Sequence, residues 1–454
     1  MLRFLAAIPL FVSAAFAQVQ AGRIVGTVFD ASKAAVPGAS VTVTEVNTNA
    51  VHRVTANATG DYVVTPLLPG LYSVSVSSPG FQTIVKNRIE LQVGQVARVD
   101  VDLVVGETVT KLEVNADVPV LDTDSGTLGQ VINNQQIVSL PLNGRGFYEL
   151  ARLTPGAALL PGSGNVLRIR PEFINGTAIS GVRGRSITFL MDGVDISEQH
   201  QGGTFIQTSI DALQEFKVQQ NGYSAEFSRA GGMLNATTKA GTNDFHGAAF
   251  DFLRNDKLDA RNFFARNREI LKRNQFGGVL SGPLWIPGVP SGKDKMFFLL
   301  SYEGMRERQG LVFNNLVPTM ANRQGNFAGT AAIFDPLTTS GTTRTPFPGN
   351  IIPTSQLAPQ ALYFNKYIAE PNTAAGTASL APSRQLDQDQ FTLRVDRNLS
   401  DAHKLFVRWS FHDNRQNDPN AHPALGIAPL TTRATNIAAS LTSNLGTRWV
   451  HEFR

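Results

Sequence analysis

The segment Phe391-Thr392-Leu393-Arg394-Val395-Asp396 alternates strictly between apolar and polar side chains. After a short turn, Leu405, Val407, Trp409 and Phe411 repeat the apolar positions at every second residue. Successive side chains of a β-strand point to opposite faces, so both segments predict strands with one apolar face. A soluble sandwich would turn that face inward, whereas a membrane barrel would turn it to lipid around a water-filled lumen. The alternation alone leaves both alternatives open.

The composition predicts a mainly β protein of several domains. The 454 residues are enough for about three domains. Short runs rich in Val, Thr and Phe recur between clusters of Gly, Pro and Asn, which is typical of strands and turns. The net charge is only +4 and the basic residues are scattered, which argues against a nucleic-acid partner. The chain has no cysteine, which excludes disulfides and cysteine-based metal or redox sites.

The first 17 residues have the pattern of a cleaved export signal. Arg3 precedes an apolar run over 4–16, and Ala15-Phe16-Ala17 supplies small residues before the expected cleavage point. A membrane anchor is the alternative, but the run is shorter than the ~20 residues of a spanning helix. An exported chain that resides in a membrane without apolar helices must form a closed β-barrel, because only a barrel satisfies all its backbone groups.

Residues 18–105 predict a β-sandwich. Alternating runs occur at 24–28, 39–44, 62–64, 72–76 and 97–103. The turns Val36-Pro37-Gly38-Ala39, Leu68-Pro69-Gly70 and Pro79-Gly80-Phe81 place Pro before Gly, as in type II turns. Tyr62 and Tyr72 are either a carbohydrate-stacking surface or, as aromatic residues after turns more often are, part of the core.

This stretch resembles the carboxypeptidase regulatory-like (transthyretin-like) domain. The resemblance depends on Gly26-x-Val28-x-Asp30, on the turn at 36–39, on Gly60-x-Tyr62 and on Leu68-Pro69-Gly70-x-Tyr72. It implies an accessory module without catalytic activity.

Residues 121–244 carry an ordered series of motifs. They are Leu140-Pro141-Leu142-Asn143-Gly144-Arg145, Leu153-Thr154-Pro155-Gly156, Gly181-Val182-Arg183-Gly184-Arg185, Phe189-Leu190-Met191-Asp192-Gly193-Val194-Asp195, Glu215-Phe216-Lys217-Val218 and Tyr223-Ser224-Ala225-Glu226-Phe227, followed by 231–243. In this order they resemble the plug domain of Oar-like TonB-dependent outer-membrane receptors. The resemblance implies an α+β plug inside a transmembrane β-barrel.

The linker 106–120 contains a candidate TonB box at Glu107, Thr108, Val109 and Thr110. In the family that the plug resembles, such a segment adds as a strand to the periplasmic TonB protein, a contact made mainly by exposed backbone. The implied partner is the TonB-ExbB-ExbD complex. A plain linker or a last strand of the sandwich is the alternative, and the sequence does not decide between them.

A plug in a polar lumen must present charge to the barrel wall. The candidates for such contacts are Arg183, Arg185, Glu215, Glu226 and Arg229. For any one of them, an ordinary exposed surface charge is the alternative interpretation. Asp192-Gly193 predicts a hairpin turn.

Residues 245–454 are expected to supply the first strands of an outer-membrane β-barrel. Segments at 252–256, 259–264 and 273–278 resemble the start of the Oar-like barrel, and the Pro-, Thr- and Gly-rich stretch from about 307 to 389 predicts a long surface loop. The remaining positions provide roughly six to eight strands, whereas a barrel around a plug needs ~22. We therefore expect an incomplete, open barrel and interpret the sequence as an N-terminal fragment.

No catalytic or metal motif is complete. Gly288-x-x-x-Gly292-Lys293-Asp294 departs from a phosphate-binding loop in spacing and in its last residue. Asp122-x-Asp124-x-Gly126 begins like a calcium loop but has Asn133 at the twelfth position. The sequence thus predicts neither an enzyme nor a metal or other cofactor.

The leading hypothesis is a TonB-dependent receptor or transporter in the outer membrane of a Gram-negative bacterium, with its N-terminal domain in the periplasm. Its expected partners are outer-membrane lipid and a large extracellular ligand such as a carbohydrate or a peptide, although the sequence leaves a metal chelate open as well. A structural or adhesion protein that displays long loops without uptake is the alternative, and an export or signalling barrel is a third.

Overall fold

The computed structural model describes residues 22–106, 111–115, 128–140, 142, 144–159, 177–182, 186–198, 204, 206–221, 231–261, 263, 268–420, 422–445 and 449–454. Three units follow one another along the chain, which we call the sandwich, the central domain and the wall sheet. All three are built on β-sheets, so the prediction of a mainly β protein is confirmed. The expected signal peptide, 1–17, lies outside the described residues.

The sandwich consists of two sheets. Its strands are β1 Gly22–Phe29, β2 Ser40–Glu45, β3 Val51–Thr55, β4 Asp61–Leu67, β5 Gly70–Ser77, β6 Thr83–Leu91, β7 Val96–Arg98, β8 Val101–Asp102 and β9 Lys111–Asn115. One sheet has the order β4-β1-β7, with β8 also paired to β1, and the other has the order β3-β2-β5-β6-β9. The apolar residues of the alternating strands meet between the sheets, where Val41, Val43, Val74 and Val76 are fully buried. Strand β9 extends the second sheet beyond the expected boundary at residue 105.

The two tyrosines that follow turns belong to the core of the sandwich. Tyr62 and Tyr72 are each 2% exposed. Their hydroxyl groups donate to the backbone oxygens of Val99 at 2.5 Å and of Leu68 at 2.7 Å. Each ring is therefore buried while its polar tip is satisfied, which leaves no stacking surface for a carbohydrate.

The predicted Pro-Gly turns are present at two of three places. Gly38 and Gly80 have φ angles of 74° and 84°, as a type II turn requires at that position. Gly70 instead begins β5 and has no positive φ.

The central domain is a mixed sheet with short helices. Its elements are β10 Leu128–Asn133, α1 Asn134–Ser139, a 3-10 helix at Phe147–Leu153, β11 Ala157–Leu159, β12 Thr177–Ile179, β13 Thr188–Met191, β14 Val194–Asp195, a 3-10 helix at Ile210–Ala212, β15 Leu213–Asn221 and β16 Met233–Thr238. The sheet order is β10-β15-β16-β13-β14. Asn133 caps α1 and forms a capping box with Gln136. The core contains edge-to-face aromatic pairs of Phe216 with Phe147 and of Tyr148 with Phe189.

The hairpin expected at Asp192-Gly193 is confirmed. Strands β13 and β14 pair antiparallel on either side of it. Asp192 and Gly193 have φ angles of 50° and 75°, the left-handed conformations that a tight hairpin of this type needs. The turn brings the Asp192 side chain to the edge of the domain.

The wall sheet is an antiparallel meander of seven strands. Its strands are β17 His246–Asn255, β18 Leu271–Pro283, β19 Met296–Gly310, β22 Ser383–Asn398, β23 His403–Pro419, β24 Ile427–Leu445 and β25 Trp449–Phe453, with a 3-10 helix at Asp256–Leu258. The first and last strands do not pair with each other in the part of the chain that the structure describes. The sheet is open, as expected.

The wall sheet turns its apolar side outward. Cross-strand partners form one row of large apolar residues: Leu280, Leu300, Leu393, Trp409 and Ile437. Ile437 is 68% exposed and Trp409 is 38% exposed. The neighbouring row on the opposite face is polar, and its members Ser301, Thr392 and Ser410 are at most 2% exposed. A water-soluble sheet has the reverse arrangement, so the outward face is suited to lipid.

Ion pairs border the apolar band on the side of the long loop. Arg306 pairs with Asp389 at 2.9 Å, and Arg308 pairs with Asp387 at 2.7 Å. The hydroxyl of Tyr302 donates to Asp389 at 2.7 Å, so an aromatic residue marks the boundary between the apolar and charged rows. Aromatic residues at such boundaries are typical of transmembrane barrels.

The long loop between β19 and β22 spans 311–382 and is shorter than the predicted 307–389. The predicted loop, drawn from Pro-, Thr- and Gly-rich composition, included Glu307, but this residue lies in β19, faces inward and pairs with Arg273 and Arg384 at 2.5 Å. The loop contains β20 Phe313–Leu316, α2 Met320–Arg323, 3-10 helices at Pro336–Thr338, Pro348–Asn350 and Thr354–Gln356, α3 Pro359–Phe364, a 3-10 helix at Asn365–Tyr367 and β21 Thr377–Leu380. A further 3-10 helix, Pro423–Leu425, lies between β23 and β24. Within the described ranges, no helix has both the length and the apolar character to cross a membrane.

We expect Ile437→Arg to impair membrane insertion and Thr431→Arg to be tolerated. Both positions are exposed on the same face of β24, but Ile437 lies in the apolar row while Thr431 pairs with Arg415 in the charged region. An arginine costs about 2–4 kcal/mol near the bilayer midplane and about 0–1 kcal/mol near its interface. The amount of each full-length variant recovered in outer-membrane fractions measures the difference. Equal recovery would mean that this face does not contact lipid.

Candidate functional site

Asp192 joins the central domain to two adjacent strands of the wall sheet. Its carboxylate accepts hydrogen bonds from Nη1 of Arg394 at 3.2 Å and from Nη1 of Arg408 at 3.0 Å. Arg394 on β22 and Arg408 on β23 are direct cross-strand partners, which brings both guanidinium groups to one place. The backbone N–H of Thr238 donates to the same carboxylate at 2.8 Å. We call these four residues the Asp192 cluster.

The Asp192 cluster is almost completely removed from solvent. The side chains of Asp192, Arg394 and Arg408 are 4%, 2% and 0% exposed. The excess positive charge is partly balanced because Arg394 also pairs with Asp396 at 2.7 Å, and Arg408 donates to Asn436 at 2.6 Å. Removing one member of a buried ion pair costs about 3–5 kcal/mol, because the remaining charge stays buried without a partner. The cluster therefore fixes the central domain against the wall.

Arg145 forms a second contact of opposite polarity. Its guanidinium group pairs with Asp211 of the central domain and with Glu303 of β19, the latter at 3.5 Å. It also lies over the rings of Phe250 and Phe252 on β17, with 4.2 Å and 4.8 Å from Cζ to the ring centroids. Cation–π contacts of a desolvated arginine contribute about 2 kcal/mol. The central domain thus presents the anion Asp192 to strands β22 and β23, and the cation Arg145 to strands β17 and β19.

A hydroxyl pair lies between these two charged contacts. The Oγ1 atoms of Thr208 and Thr392 are 2.9 Å apart and buried. Ala434, on β24, packs against the apolar core of the central domain. The inner face of the wall sheet is therefore covered by the central domain through charged, hydroxyl and apolar contacts.

The residues predicted from sequence to contact the wall are placed as follows. Arg183, Arg185, Glu226 and Arg229 lie outside the described residues, as do the candidate box residues Glu107, Thr108, Val109 and Thr110. Glu215 is described, and its carboxylate meets the sandwich instead of the wall. Along β15, Phe216 and Val218 enter the core of the central domain, so the intervening Glu215 and Lys217 point to the opposite side.

Glu215 and Lys217 hold the backbone N–H and the backbone C=O of one sandwich residue, Val93. The backbone N–H of Val93 donates to Oε1 of Glu215 at 2.5 Å, and Nζ of Lys217 donates to the backbone oxygen of Val93 at 2.8 Å. Val93, Glu215 and Lys217 are 4%, 5% and 7% exposed. Burial raises the pKa of Glu215 to about 7, although the hydrogen bond from Val93 and the charge of Lys217 act in the other direction. We call these three residues the Val93 clamp.

Sequence reasoning did not identify Asp192 and Arg145 as contact residues. Asp192 was assigned to a turn, and Arg145 only to a family motif. The sequence did indicate that Arg394, the partner of Asp192, needs an anion. Arg394 stands on the predicted lumen face of an alternating strand, where a buried cation requires a negatively charged partner. No comparable pattern marked Arg145, whose conformation depends on a positive φ of 53°.

The three units meet around a cavity of about 210 Å³. Its lining includes Leu68 of the sandwich, Thr237 of the central domain, and Phe297 and Lys404 of the wall sheet. The junction is therefore incompletely packed. Among the residues with described positions, no group of three or more His, Asp or Glu side chains is arranged to hold a metal ion.

We expect Glu215→Gln to stabilise the protein at alkaline pH but not at acid pH. The pKa of Glu215 is raised from 4.5 to about 7 in the folded state. The protonated carboxyl therefore contributes fully to the free energy of unfolding below pH 4.5, and this contribution is lost as the pH rises through the folded-state pKa of about 7. Glutamine keeps an oxygen acceptor for Val93, and the variant should gain up to about 3 kcal/mol over the native protein at about pH 8 and little at about pH 5. Calorimetry of the full-length protein in detergent measures this gain, with Glu149→Gln, at a partly exposed carboxylate, as the control. A gain in stability that does not change with pH would contradict the raised pKa of Glu215 in the folded protein.

Two family models match the chain in sequence. A model described as a carboxypeptidase regulatory-like domain matches residues 23–104. A model described as an outer membrane beta barrel domain matches residues 237–454. The second match and the exposed apolar face of the wall sheet together place this part of the chain in the outer membrane.

Individual proteins are also similar to the chain. The TonB-dependent transporter Oar of Myxococcus xanthus is 28% identical over 311 residues, which are 64% of this chain and 27% of that protein. The chain thus spans about a quarter of the length of this relative. The outer membrane transporter YddB of Escherichia coli superposes with a TM-score of 0.42 at 9% identity, covering 70% of this chain and 37% of that one. The siderophore receptor PirA of Acinetobacter baumannii has a TM-score of 0.33 at 15% identity, covering 69% and 44%. On the sequence matches, the chain is a homologue of the TonB-dependent transporter Oar, with a carboxypeptidase regulatory-like domain followed by an outer membrane β-barrel domain.

Proposed function

We propose that the protein is an energy-coupled outer-membrane transporter in which the central domain is the plug. The observation that carries this proposal is the Asp192 cluster, a buried ionic contact between the central domain and the polar face of the wall sheet. A ligand that crosses the lumen must displace the domain that covers this face. The role is one of transport, without catalysis.

Displacing the plug requires work from outside the domain. The Asp192 cluster and the contact of Arg145 with Glu303 both bury charge, and such pairs do not separate at low cost. We assign the supply of this work to the TonB-ExbB-ExbD complex, acting through residues 107–110. Strand β9 begins directly after them and already pairs as an edge strand, which is consistent with a segment of high strand propensity.

The ligand enters from the side of the long loop. Tyr363, Phe364 and Tyr367 form an aromatic cluster there, with ring centroids 5.6 Å to 6.1 Å apart. Tyr363 and Phe364 are 55% and 57% exposed, and Nζ of Lys366 lies 3.6 Å from the centroid of the Tyr363 ring. Such a surface suits a large ligand with apolar or sugar-like faces, either a carbohydrate or a peptide. The sandwich, at the opposite end of the wall sheet, lies in the periplasm.

We expect Val109→Pro to abolish binding of the TonB periplasmic domain to the full-length protein, while Val109→Ala retains it. Proline removes a backbone donor that an added strand needs, whereas alanine keeps the backbone and shortens one side chain. Co-purification with the isolated periplasmic domain of TonB from the same organism measures the difference. A structural or adhesion protein without uptake would bind none of it, and equal binding by both variants would exclude residues 107–110 as the box.

We expect Asp192→Asn to loosen the plug. The change leaves two buried arginines without their shared anion, at a cost of about 3–5 kcal/mol. Cells that produce the full-length variant should become more sensitive to vancomycin, a hydrophilic antibiotic that the intact outer membrane excludes. Asp195→Asn, at an exposed carboxylate of the same hairpin, is the matched control. Equal sensitivity at equal protein level would show that the Asp192 cluster does not hold the plug.

A further inference from the structure

The sandwich is docked on the end of the wall sheet that carries its short turns. The contacts outside the Val93 clamp include a backbone bond from Asn243 to Asn47 at 3.0 Å, a bond from Asn49 to Asp294 at 3.0 Å and an ion pair of Arg53 with Asp401 at 2.8 Å. Their wall partners precede β17, connect β18 to β19 and connect β22 to β23. All three places lie at the end of the sheet opposite the long loop. The sandwich therefore covers the periplasmic end of the wall.

One contact of this interface is buried. Nζ of Lys404 lies 2.5 Å from Nε2 of His52, and His52 is only 5% exposed. Burial, and then the charge of Lys404, lower the pKa of His52 to about 3, so the ring is neutral and accepts from the ammonium group. A polar contact that is removed from water in this way specifies one docked position.

The same docked position engages the plug directly. The Val93 clamp attaches the turn between β6 and β7 to Glu215 and Lys217 of β15. Strand β15 pairs with both β10 and β16, so it is an interior strand of the central sheet. While the sandwich stays docked, the Val93 clamp ties β15 to it.

The candidate box lies between two attachments to the sandwich. On one side, the backbone N–H of Gly106 donates to Gly80 at 3.2 Å. On the other side, β9 pairs in parallel with β6 over five residue pairs, from Thr83 with Lys111 to Asn87 with Asn115. A force applied to residues 107–110 is therefore transmitted first to the sandwich and only afterwards to the central domain.

Apart from the buried contact of His52 with Lys404, the side-chain contacts between the sandwich and the wall are exposed and suited to reversible separation. The side chains of Arg53 and Asp401 are 62% and 72% exposed, and ion pairs in water contribute little to stability. A cavity of about 210 Å³ at the junction leaves this boundary incompletely packed. The wall contacts of the Asp192 cluster are, by contrast, fully buried.

We propose that the docked sandwich is a periplasmic lock, which must separate from the wall turns before the plug can be displaced. The proposal rests on the proposed transport function and adds an order of events to it: the weakly held sandwich moves first, and β15 follows through the Val93 clamp.

Cross-linking in cells tests this order. Residues 1–454 contain no cysteine, so Arg53→Cys with Asp401→Cys introduces one reactive pair into this part of the protein, at two exposed positions. In cells producing the full-length protein, the yield with a short bismaleimide reports the docked population. We expect the yield to fall by about twofold or more in energised cells relative to cells treated with a protonophore. The additional change Val109→Pro should abolish this difference.

The matched control is Lys33→Cys with Asp102→Cys, an exposed ion pair of 2.7 Å within the sandwich. Its yield should be the same in all conditions. If the full-length protein binds TonB but the yield of the 53–401 pair does not change with energisation, the sandwich stays docked and the lock is overturned while the transport proposal stands. If the protein does not bind TonB, the transport proposal itself fails.

Discussion

The inverted polarity of the wall sheet is the constraint on which the rest of the structure depends. Its apolar row around Trp409 and Ile437 is exposed, while the polar row containing Thr392 and Ser410 is buried. Hydrocarbon offers no partner for polar groups, so the polar face needs a partner on the inside. The central domain supplies that partner. The polar faces of the two bodies are therefore buried against each other.

Charge placement makes this association specific. Asp192 reaches both Arg394 and Arg408 only because β22 and β23 are in a register that sets the two arginines side by side. A shift of one residue in either strand would turn its arginine toward lipid and leave the carboxylate with one arginine instead of two. Buried ion pairs contribute modestly to net stability because of their desolvation cost, but they penalise wrong arrangements heavily. The Asp192 cluster thus specifies how the central domain sits in the wall.

The sequence predicted the faces of the strands but not the contacts between units. The alternation at 391–396 correctly separates an outward from an inward face, because it depends only on neighbouring residues. The partners of Asp192 are 202 and 216 positions away, and no local pattern connects them. Glu215 shows the same limit in another form. Its charge suggested a contact with the barrel wall, and the period of two around Phe216 gives the side of β15 on which it stands, but only the tertiary arrangement shows that the sandwich occupies that side.

The two boundaries of the central domain differ in kind, and this difference sets the order in which they separate. Toward the wall, the domain is held by side chains that are at most 4% exposed in the Asp192 cluster. Apart from the buried contact of His52 with Lys404, the sandwich meets the wall through exposed groups, such as the ion pair of Arg53 with Asp401, which contributes about 0–1 kcal/mol. An external force separates the weaker boundary, between the sandwich and the wall, first if the force is applied to the sandwich. Strand β9 is the first described segment after the candidate box, and it belongs to the sandwich. A force on residues 107–110 is therefore applied to the sandwich.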